Sequence, residues 1–440
     1  MDLAAGRIRR LMVFMPPRHG KSRLTSQIFP AWFLINNPDK RVILTSYGAE
    51  LAFTFSRRVR EYVDQHGEEL AGVRISRKSS AVDQWDLEGY EGGMIAAGVG
   101  GPITGHGGDL VIIDDVIKNW VEANSARYRE QVWQWYTSTL YTRLEPGGRM
   151  VLIMTRWHQD DLAGRLLKQA EEGGEQWEIL KLPALAEKDD PLGRKEGEAL
   201  WPARYDAQSL LETKRVLGSF QFSAIYQQSP RAAGGNLFKR EWFRYFREEG
   251  PSYILYGPDG EIKRVSKERC LRFQTVDLAA SEKTAADYFC VLTFDLTPDR
   301  EILVQDVLRD HIPGPDQLNV LWEQYHKWRP GKLGIEAVAY QLAFLQQAIR
   351  AGLPAVKLKA DRDKISRALP ATARYEAGQV YHRAEAPWIA DFEEELVLFP
   401  AGEHDDQVDA LAYGVLLVSE YEKSNIDPNL ARLLVRAKVY

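Results

Sequence analysis

Short apolar runs alternate with stretches of helical spacing through the first half of the chain. Arg10-Leu11-Met12-Val13-Phe14-Met15 leads into a Pro/Gly turn, and a helical stretch follows from about Lys21 to Ile35. Val42–Ser46 is the next apolar run. From Ala49 to about Gln65, the residues Leu51, Phe55, Val59 and Val63 recur on one helical face. Asp109–Ile113 and Met150–Met154 repeat the strand pattern, and the glycine-rich Gly98–Gly108 reads as a loop or hairpin. Continuous apolar strands separated by amphipathic helices predict a mainly parallel α/β sheet covered by helices. The second half opens differently. Leu271–Asp277, Phe289–Asp295 and Ile302–Val307 are three strands with short connections, an antiparallel meander. Lys332–Glu336, a helix from Tyr340 to Ala351 and a closing helix from about Asp405 to Glu420 follow.

A break falls at Gln228-Ser229-Pro230-Arg231-Ala232-Ala233-Gly234-Gly235. It predicts a first domain over 1–228, a linker and connecting segment over 229–262, a second domain over 263–422 and a tail over 423–440. The length of 440 residues allows two or three domains. Apolar and charged fractions of 45% and 27% exclude a disordered or fibrous chain. No apolar run approaches the ~20 residues of a membrane span. Met1–Arg7 lacks the apolar region of a signal peptide. Cys270 and Cys290 alone make neither a disulfide framework nor a zinc site, and fit a reducing cytoplasm. A net charge of −5 excludes a wholesale nucleic-acid coat but leaves room for a local basic groove.

Candidate chemistry gathers in two places. Pro16-Pro17-Arg18-His19-Gly20-Lys21-Ser22 lies between a strand and a helix, the context of a phosphate-binding loop. Gly20 admits close approach of phosphate, and helix-start N–H groups favour the anion. In such a loop Lys21 would reach the β/γ oxygens and Ser22 would hold Mg²⁺. Met15 stands where the usual pattern has its first glycine, so the match is partial; an ordinary strand–turn–helix is the alternative. Leu110–Ile113 then ends in Asp114, placed for the Mg²⁺ shell, and Asp115, placed to polarise water. A third strand ends in Thr155-Arg156-Trp157-His158, where Thr155 and Arg156 sense the γ-phosphate or merely cap the surface.

The second place is acidic. Asp277 lies in the first strand of the meander, Glu336 ends a later strand, and Asp405, Asp406 and Asp409 begin the last helix. A carboxylate in an apolar strand is costly unless paired or bound to metal. Two strands and a helix start can hold two Mg²⁺ or Mn²⁺ ions for phosphodiester cleavage, the arrangement of ribonuclease H-like nucleases. Helix capping and edge exposure are the alternatives. The basic stretch Lys357–Arg367 between Glu336 and Asp405 is a candidate contact for DNA phosphates. Trp133, Trp135 and Tyr136 read as core packing.

Met15–Ser22, Phe29-Pro30-Ala31-Trp32, Ser46-Tyr47, Ile112–Asp115 and Thr155–His158 resemble the ATPase half of the large terminase subunit of tailed bacteriophages. Tyr226–Pro230, Gly235–Phe238, Val276-Asp277 and His404–Ala410 resemble its headful nuclease. The resemblance implies a P-loop NTPase domain followed by a ribonuclease H-like domain. It implies ATP and Mg²⁺ (or Mn²⁺ at the nuclease site) as cofactors. Arg18, His19, Gly20, Lys21 and Ser22 would meet the nucleotide, Asp114 the metal, Asp115 hydrolysis, and Thr155 with Arg156 coupling. Asp277, Glu336 and Asp405 would be nuclease ligands, Asp406 a further or alternative one. Asp409 faces the same site or solvent. The implied partners are double-stranded DNA, the portal protein and the small terminase subunit, with a pentameric ring on the procapsid in the host cytoplasm and no membrane. Two departures stand out. Only 14 residues precede Met15, short of the family's Gln-containing adenine segment, so affinity is expected from phosphates and Mg²⁺ with weak ATP/GTP discrimination. Asp115 stands where many motors have Glu. Arg18 in cis is the expected cation for hydrolysis, with Arg143 the alternative in trans. A repair helicase-nuclease and a non-catalytic docking protein are the rival readings.

Overall fold

A computed structural model of the chain describes residues 2–103, 105–230, 237–278, 288–336, 340–358 and 363–424. The chain forms two compact units that part near residue 232, with 215–218 counted in the second.

The first unit is built on an eight-stranded sheet: β1 (Arg10–Phe14), β2 (Arg41–Ser46), β3 (Ile75–Ser80), β4 (Gln84–Leu87), β5 (Gly93–Gly98), β6 (Gly108–Asp114), β7 (Leu144–Met154) and β8 (Glu178–Lys181). Their order is β3-β4-β5-β2-β6-β7-β1-β8. Pairing is parallel from β5 to β8, and antiparallel only where β4 meets β3 and β5. Side chains alternate between faces along a strand. Val13, Leu110, Ile112, Val151 and Ile153 therefore pack on one side, with Phe55, Val59 and Val63 of the helix Ala49–Ala71. Met12, Val111, Ile113, Leu152 and Met154 pack on the other, with Val132, Trp135 and Tyr136. Trp135 and Tyr136 are thus core residues, as their spacing predicts.

Register fixes where the chemistry emerges. Phe14 pairs with Met154, and Asp114 with Ile153. The segments after β1, β6 and β7 therefore leave one edge of the sheet together, the carboxyl edge where open parallel sheets bind ligands. The helix after the phosphate loop is unusual. Arg23–Ile28 is wound as a π-helix before α-geometry resumes at Phe29–Asn36. The stretch between β6 and β7 is wound as several short helices rather than one. Asn119 caps Trp120–Asn124, and Ser125 ends that helix and caps Ala126–Trp135 by accepting from Tyr128 N.

The second unit holds nine strands: β9 (Arg244–Glu249), β10 (Ser252–Tyr256), β11 (Ile262–Ser266), β12 (Leu271–Asp277), β13 (Phe289–Leu296), β14 (Ile302–Asp310), β15 (Lys332–Glu336), β16 (Ala355–Leu358) and β17 (Val380–Arg383). The order is β11-β10-β9-β17-β14-β13-β12-β15-β16. The meander β12-β13-β14 is antiparallel, as expected, and β15 and β16 add in parallel to β12. The linker expectation for 229–262 needs correction. Its second half makes β9, β10 and the start of β11, extending the second unit's sheet. Residues 231–236 of the break and 425–440 of the tail lie outside the described residues. The helix Asp406–Ser424 packs on the middle of the sheet, where Thr275 Oγ1 donates to the Ala410 carbonyl at 2.7 Å. Gly414 permits this approach, since a Cβ there would stand 2.9 Å from the Phe294 ring.

Candidate active sites

In the first unit, β7 separates β1 from β6, so Thr155 emerges between the phosphate loop and the acidic pair. The side chains follow that order. Lys21 Nζ donates to Thr155 Oγ1 at 2.8 Å and pairs with Asp115 Oδ2 at 2.6 Å. The Thr155 amide donates to Asp115 Oδ1 at 2.7 Å. Ser22 Oγ donates to Asp114 Oδ1 at 3.1 Å, and Ser26 from the π-wound turn donates to Oδ2. Ser26 carries no sequence signal of its own; the wide helical turn brings it there. Asp114 is 1% exposed, and burial, then the neighbouring Asp115 charge, pushes its pKa up to about 7. A carboxylate raised by burial and by a neighbouring charge, and bonded by two hydroxyls, suits a divalent cation with oxygen ligands.

Backbone conformation is special here. Gly20 has φ +88°, and Arg18 and Asp115 hold positive φ of 61° and 46° without being glycine. Non-glycine residues in that region cluster at functional sites. Arg18 is exposed, whereas His19 is buried against Tyr205. Arg156 is committed elsewhere. Its Nε donates to the fully buried Asp161 at 2.9 Å, its guanidinium lies 5.0 Å over the Phe14 ring, and its amide donates to Gln228 Oε1. Asp161, unnoticed in the sequence, also caps the helix Leu162–Glu171. Leu144 pairs with Gly108 while Asp114 ends the same strand. Arg143 therefore lies at the opposite end of the sheet from the phosphate loop, ~20 Å away at ~3.3 Å per residue.

In the second unit, β12 and β15 run parallel with Val276 opposite Ile335, so Asp277 and Glu336 stand side by side at the strand tips. The closing helix brings Asp406 and Asp409 to the same place. Burial and the charges of Asp409, Asp406 and Glu336 raise Asp277 well above the usual carboxylate range. Asp409 is 7% exposed and pushed up to about 6, chiefly by burial. Asp409, left open between site and solvent, is therefore on the site side. Asp405 differs: both its oxygens lie 2.6 Å from Lys364 Nζ.

The acids are held apart by cations. Arg367 NH2 meets Asp409 at 3.2 Å, its NH1 meets Glu336 at 3.6 Å, and NH1 also donates to Tyr413. Arg309 NH2 meets Asp406 at 3.3 Å. Among the described residues, no three His, Cys, Asp or Glu groups stand in a metal-ready cluster. The all-oxygen donor set and its mutual repulsion nonetheless fit a hard divalent cation. In the basic stretch expected to meet DNA, Lys364 and Arg367 pair with these acids, Lys357 is exposed, and 359–362 lie outside the described residues.

Two family models match. The terminase large subunit model, T4likevirus-type, N-terminal, covers residues 12–245, and the terminase RNaseH-like domain model covers 274–417. No curated protein matches. The large terminase of a thermophilic bacteriophage, solved in complex with ADP, is 10% identical, with 94% of this chain and 97% of that one covered at a TM-score of 0.50. The HK97 bacteriophage large terminase is 13% identical over 94% and 92% of the two chains, TM-score 0.39. The large terminase nuclease of thermophilic phage G20c with bound magnesium is 15% identical over 42% and 98%, TM-score 0.30. With an N-terminal family model over more than half its length and the matching nuclease model behind it, the chain belongs to the terminase large subunit family.

Proposed function

We propose that this chain is a viral DNA-packaging enzyme that hydrolyses ATP in its first unit and cuts double-stranded DNA in its second. The observation that carries the reading is the convergence of Lys21, Ser22, Asp114, Asp115 and Thr155 at one carboxyl edge. Arg18, His19, Gly20, Lys21 and Ser22 form the phosphate-binding loop. Lys21 exchanges Asp115 for the β/γ oxygens when nucleotide enters. Freed from Lys21, Asp115 accepts a proton from water while the Thr155 amide keeps its other oxygen oriented. Thr155 reads the γ-phosphate through the same hydroxyl that now meets Lys21. Arg156 acts as a positioning residue, since Asp161 anchors it beside Thr155. Ser22 and Asp114 would hold the Mg²⁺ of the nucleotide, which screens phosphate charge. Arg18 supplies the cis cation; Arg143 serves only a neighbouring copy, because it lies across the sheet from its own loop.

In the second unit, Asp277, Glu336, Asp406 and Asp409 are the ligand set, with Asp405 kept in reserve by Lys364. Divalent ions bound there would activate water and stabilise the leaving oxygen of a phosphodiester. Arg309 and Arg367 balance the acids until those ions arrive. The same reading assigns a portal protein and a small terminase subunit as partners, a ring of copies, most simply a pentamer, on the procapsid, and work in the host cytoplasm. Among the described residues no helix is long and apolar enough to cross a membrane.

Lys21→Ala and Asp277→Asn test the assignment together. ATP turnover should vanish in the first and survive in the second; cleavage of linear DNA with Mn²⁺ should do the reverse. Wild-type turnover in Lys21→Ala, or wild-type cutting in Asp277→Asn, would sink the corresponding half.

A further inference from the structure

A tight turn beside the phosphate loop carries two aromatic rings and an arginine that the reaction above does not use. Tyr205 N donates to Trp201 O at 2.8 Å, and the two residues form an antiparallel bridge. The Arg204 guanidinium lies over both rings, 5.2 Å from the Trp201 centroid and 5.5 Å from that of Tyr205. Tyr205 stacks on His19 with centroids 4.9 Å apart and planes 29° from parallel. His19 Nδ1 donates to the Pro17 carbonyl at 2.9 Å, which fixes the ring within the loop. Trp201 reaches the loop as well: a Cβ at Gly20 would stand 3.9 Å from its ring edge. Yet Trp201 is 40% exposed. An indole anchored by its turn, covered by an arginine and still part-bare offers a flat apolar surface beside Gly20.

The topology sets which end of a nucleotide lies there. Asp115 and Thr155 follow β6 and β7, on one side of β1. The chain that leads to Trp201 follows β8, on the other side, and Leu182 N bonds to Phe14 O at its start. A triphosphate on Lys21 with its γ end toward Asp115 therefore points its nucleoside end toward β8. We infer that Trp201, backed by Arg204, is the platform on which the nucleotide base stacks. The inference rests on reading residues 15–22 as the triphosphate site. Stacking uses a ring's face rather than its hydrogen-bonding edge, so the platform accepts adenine and guanine alike.

The test is equilibrium binding to the full chain by calorimetry, with Mg-ATP, Mg-GTP and inorganic Mg-tripolyphosphate. Trp201→Ala should weaken ATP and GTP about 10-fold or more, the scale of losing one base stack. Tripolyphosphate should bind as in the wild type, and Trp201→Phe should restore most of the loss. Unchanged ATP affinity in Trp201→Ala overturns the inference. So does an equal loss for tripolyphosphate, which would make Trp201 mere packing for Gly20. Lys21→Ala separates the two readings: tripolyphosphate binding that survives it disproves the phosphate loop itself, whatever Trp201 does.

Discussion

Arg367 provides the sharpest test of the acidic cluster. It is 10% exposed in its side chain, with NH2 3.2 Å from Asp409 and NH1 3.6 Å from Glu336. At an effective dielectric of about 20, each contact is worth about 5 kcal/mol of attraction before desolvation. Removing one partner of a buried pair leaves the other charge uncompensated, which costs about 3–5 kcal/mol net. Arg367→Gln should therefore lower the melting temperature of the second unit by on the order of 10 °C. Arg367→Lys keeps the charge but loses the fork, and should fall between. Mn²⁺ should then do what the guanidinium did. Ion at ~100 times its Kd adds about 2.7 kcal/mol to the folded state. The Mn²⁺-induced gain in melting temperature should be larger in Arg367→Gln than in the wild type, read by scanning calorimetry of the full chain. A variant that melts within a degree or two of the wild type, with no larger gain from Mn²⁺, would refute the idea that these acids are a cation site held open by arginine.

Asp406→Asn and Asp409→Asn should each reduce DNA cutting more than Asp405→Asn, in a plasmid-nicking assay with Mn²⁺; equal loss in all three would return Asp405 to the ligand set. Arg143→Ala chains alone should keep their ATP turnover if Arg18 acts in cis, and adding Lys21→Ala chains should not raise it; an inactive Arg143→Ala chain rescued by Lys21→Ala chains would make Arg143 the trans residue. Burial holds the His382 imidazole below its usual pKa despite its 2.8 Å bond to Glu393. The unfolded chain therefore takes the proton first. Below about pH 6.5 this group's contribution to stability falls with pH, by at most about 1.4 kcal/mol per unit. The wild type should lose more stability than His382→Gln between pH 6.5 and 5.5 in urea titrations, and parallel losses would disprove the assignment.

What the sequence showed and what it hid follow from the range of the interactions. β1, β2, β6 and β7 were legible because strands buried on both faces must be apolar at every position. β9 was not, because Arg244-Tyr245-Phe246-Arg247-Glu248-Glu249 is mostly surface and holds only Phe246 in the core. The loop Pro16–Ser22 and the pair Asp114-Asp115 announced themselves by residue type and spacing. Ser26 did not, because its role depends on a π-wound turn that no short pattern encodes. Trp201 was invisible for a related reason: it reaches the phosphate loop only when β8 is laid beside β1. Asp161 was different, because its partners Arg156 and Gly164 lie within five residues and only its complete burial is a tertiary fact.

That difference bears on how the first site works. The legible residues, Lys21, Ser22, Asp114 and Asp115, touch the triphosphate in the proposed reaction. In the structure they satisfy one another, with Lys21 on Asp115 and Ser22 on Asp114. The hidden residues hold those four from behind. Arg156 is pinned by Asp161 directly after Thr155, and His19 is pinned by Tyr205 directly before Gly20. A triphosphate that takes Lys21 must break its bond to Thr155 while Asp161 keeps the next residue still. In the proposed reaction the strand end β7 is thus the element that nucleotide binding first strains, and Asp161→Asn should loosen it. Turnover should persist in that variant, because no group touching phosphate is lost. ATP-driven DNA movement should drop several-fold more than turnover, measured as the ratio of DNA packaged to ATP consumed. An unchanged ratio would show that the Arg156–Asp161 pair is a structural clamp with no part in coupling.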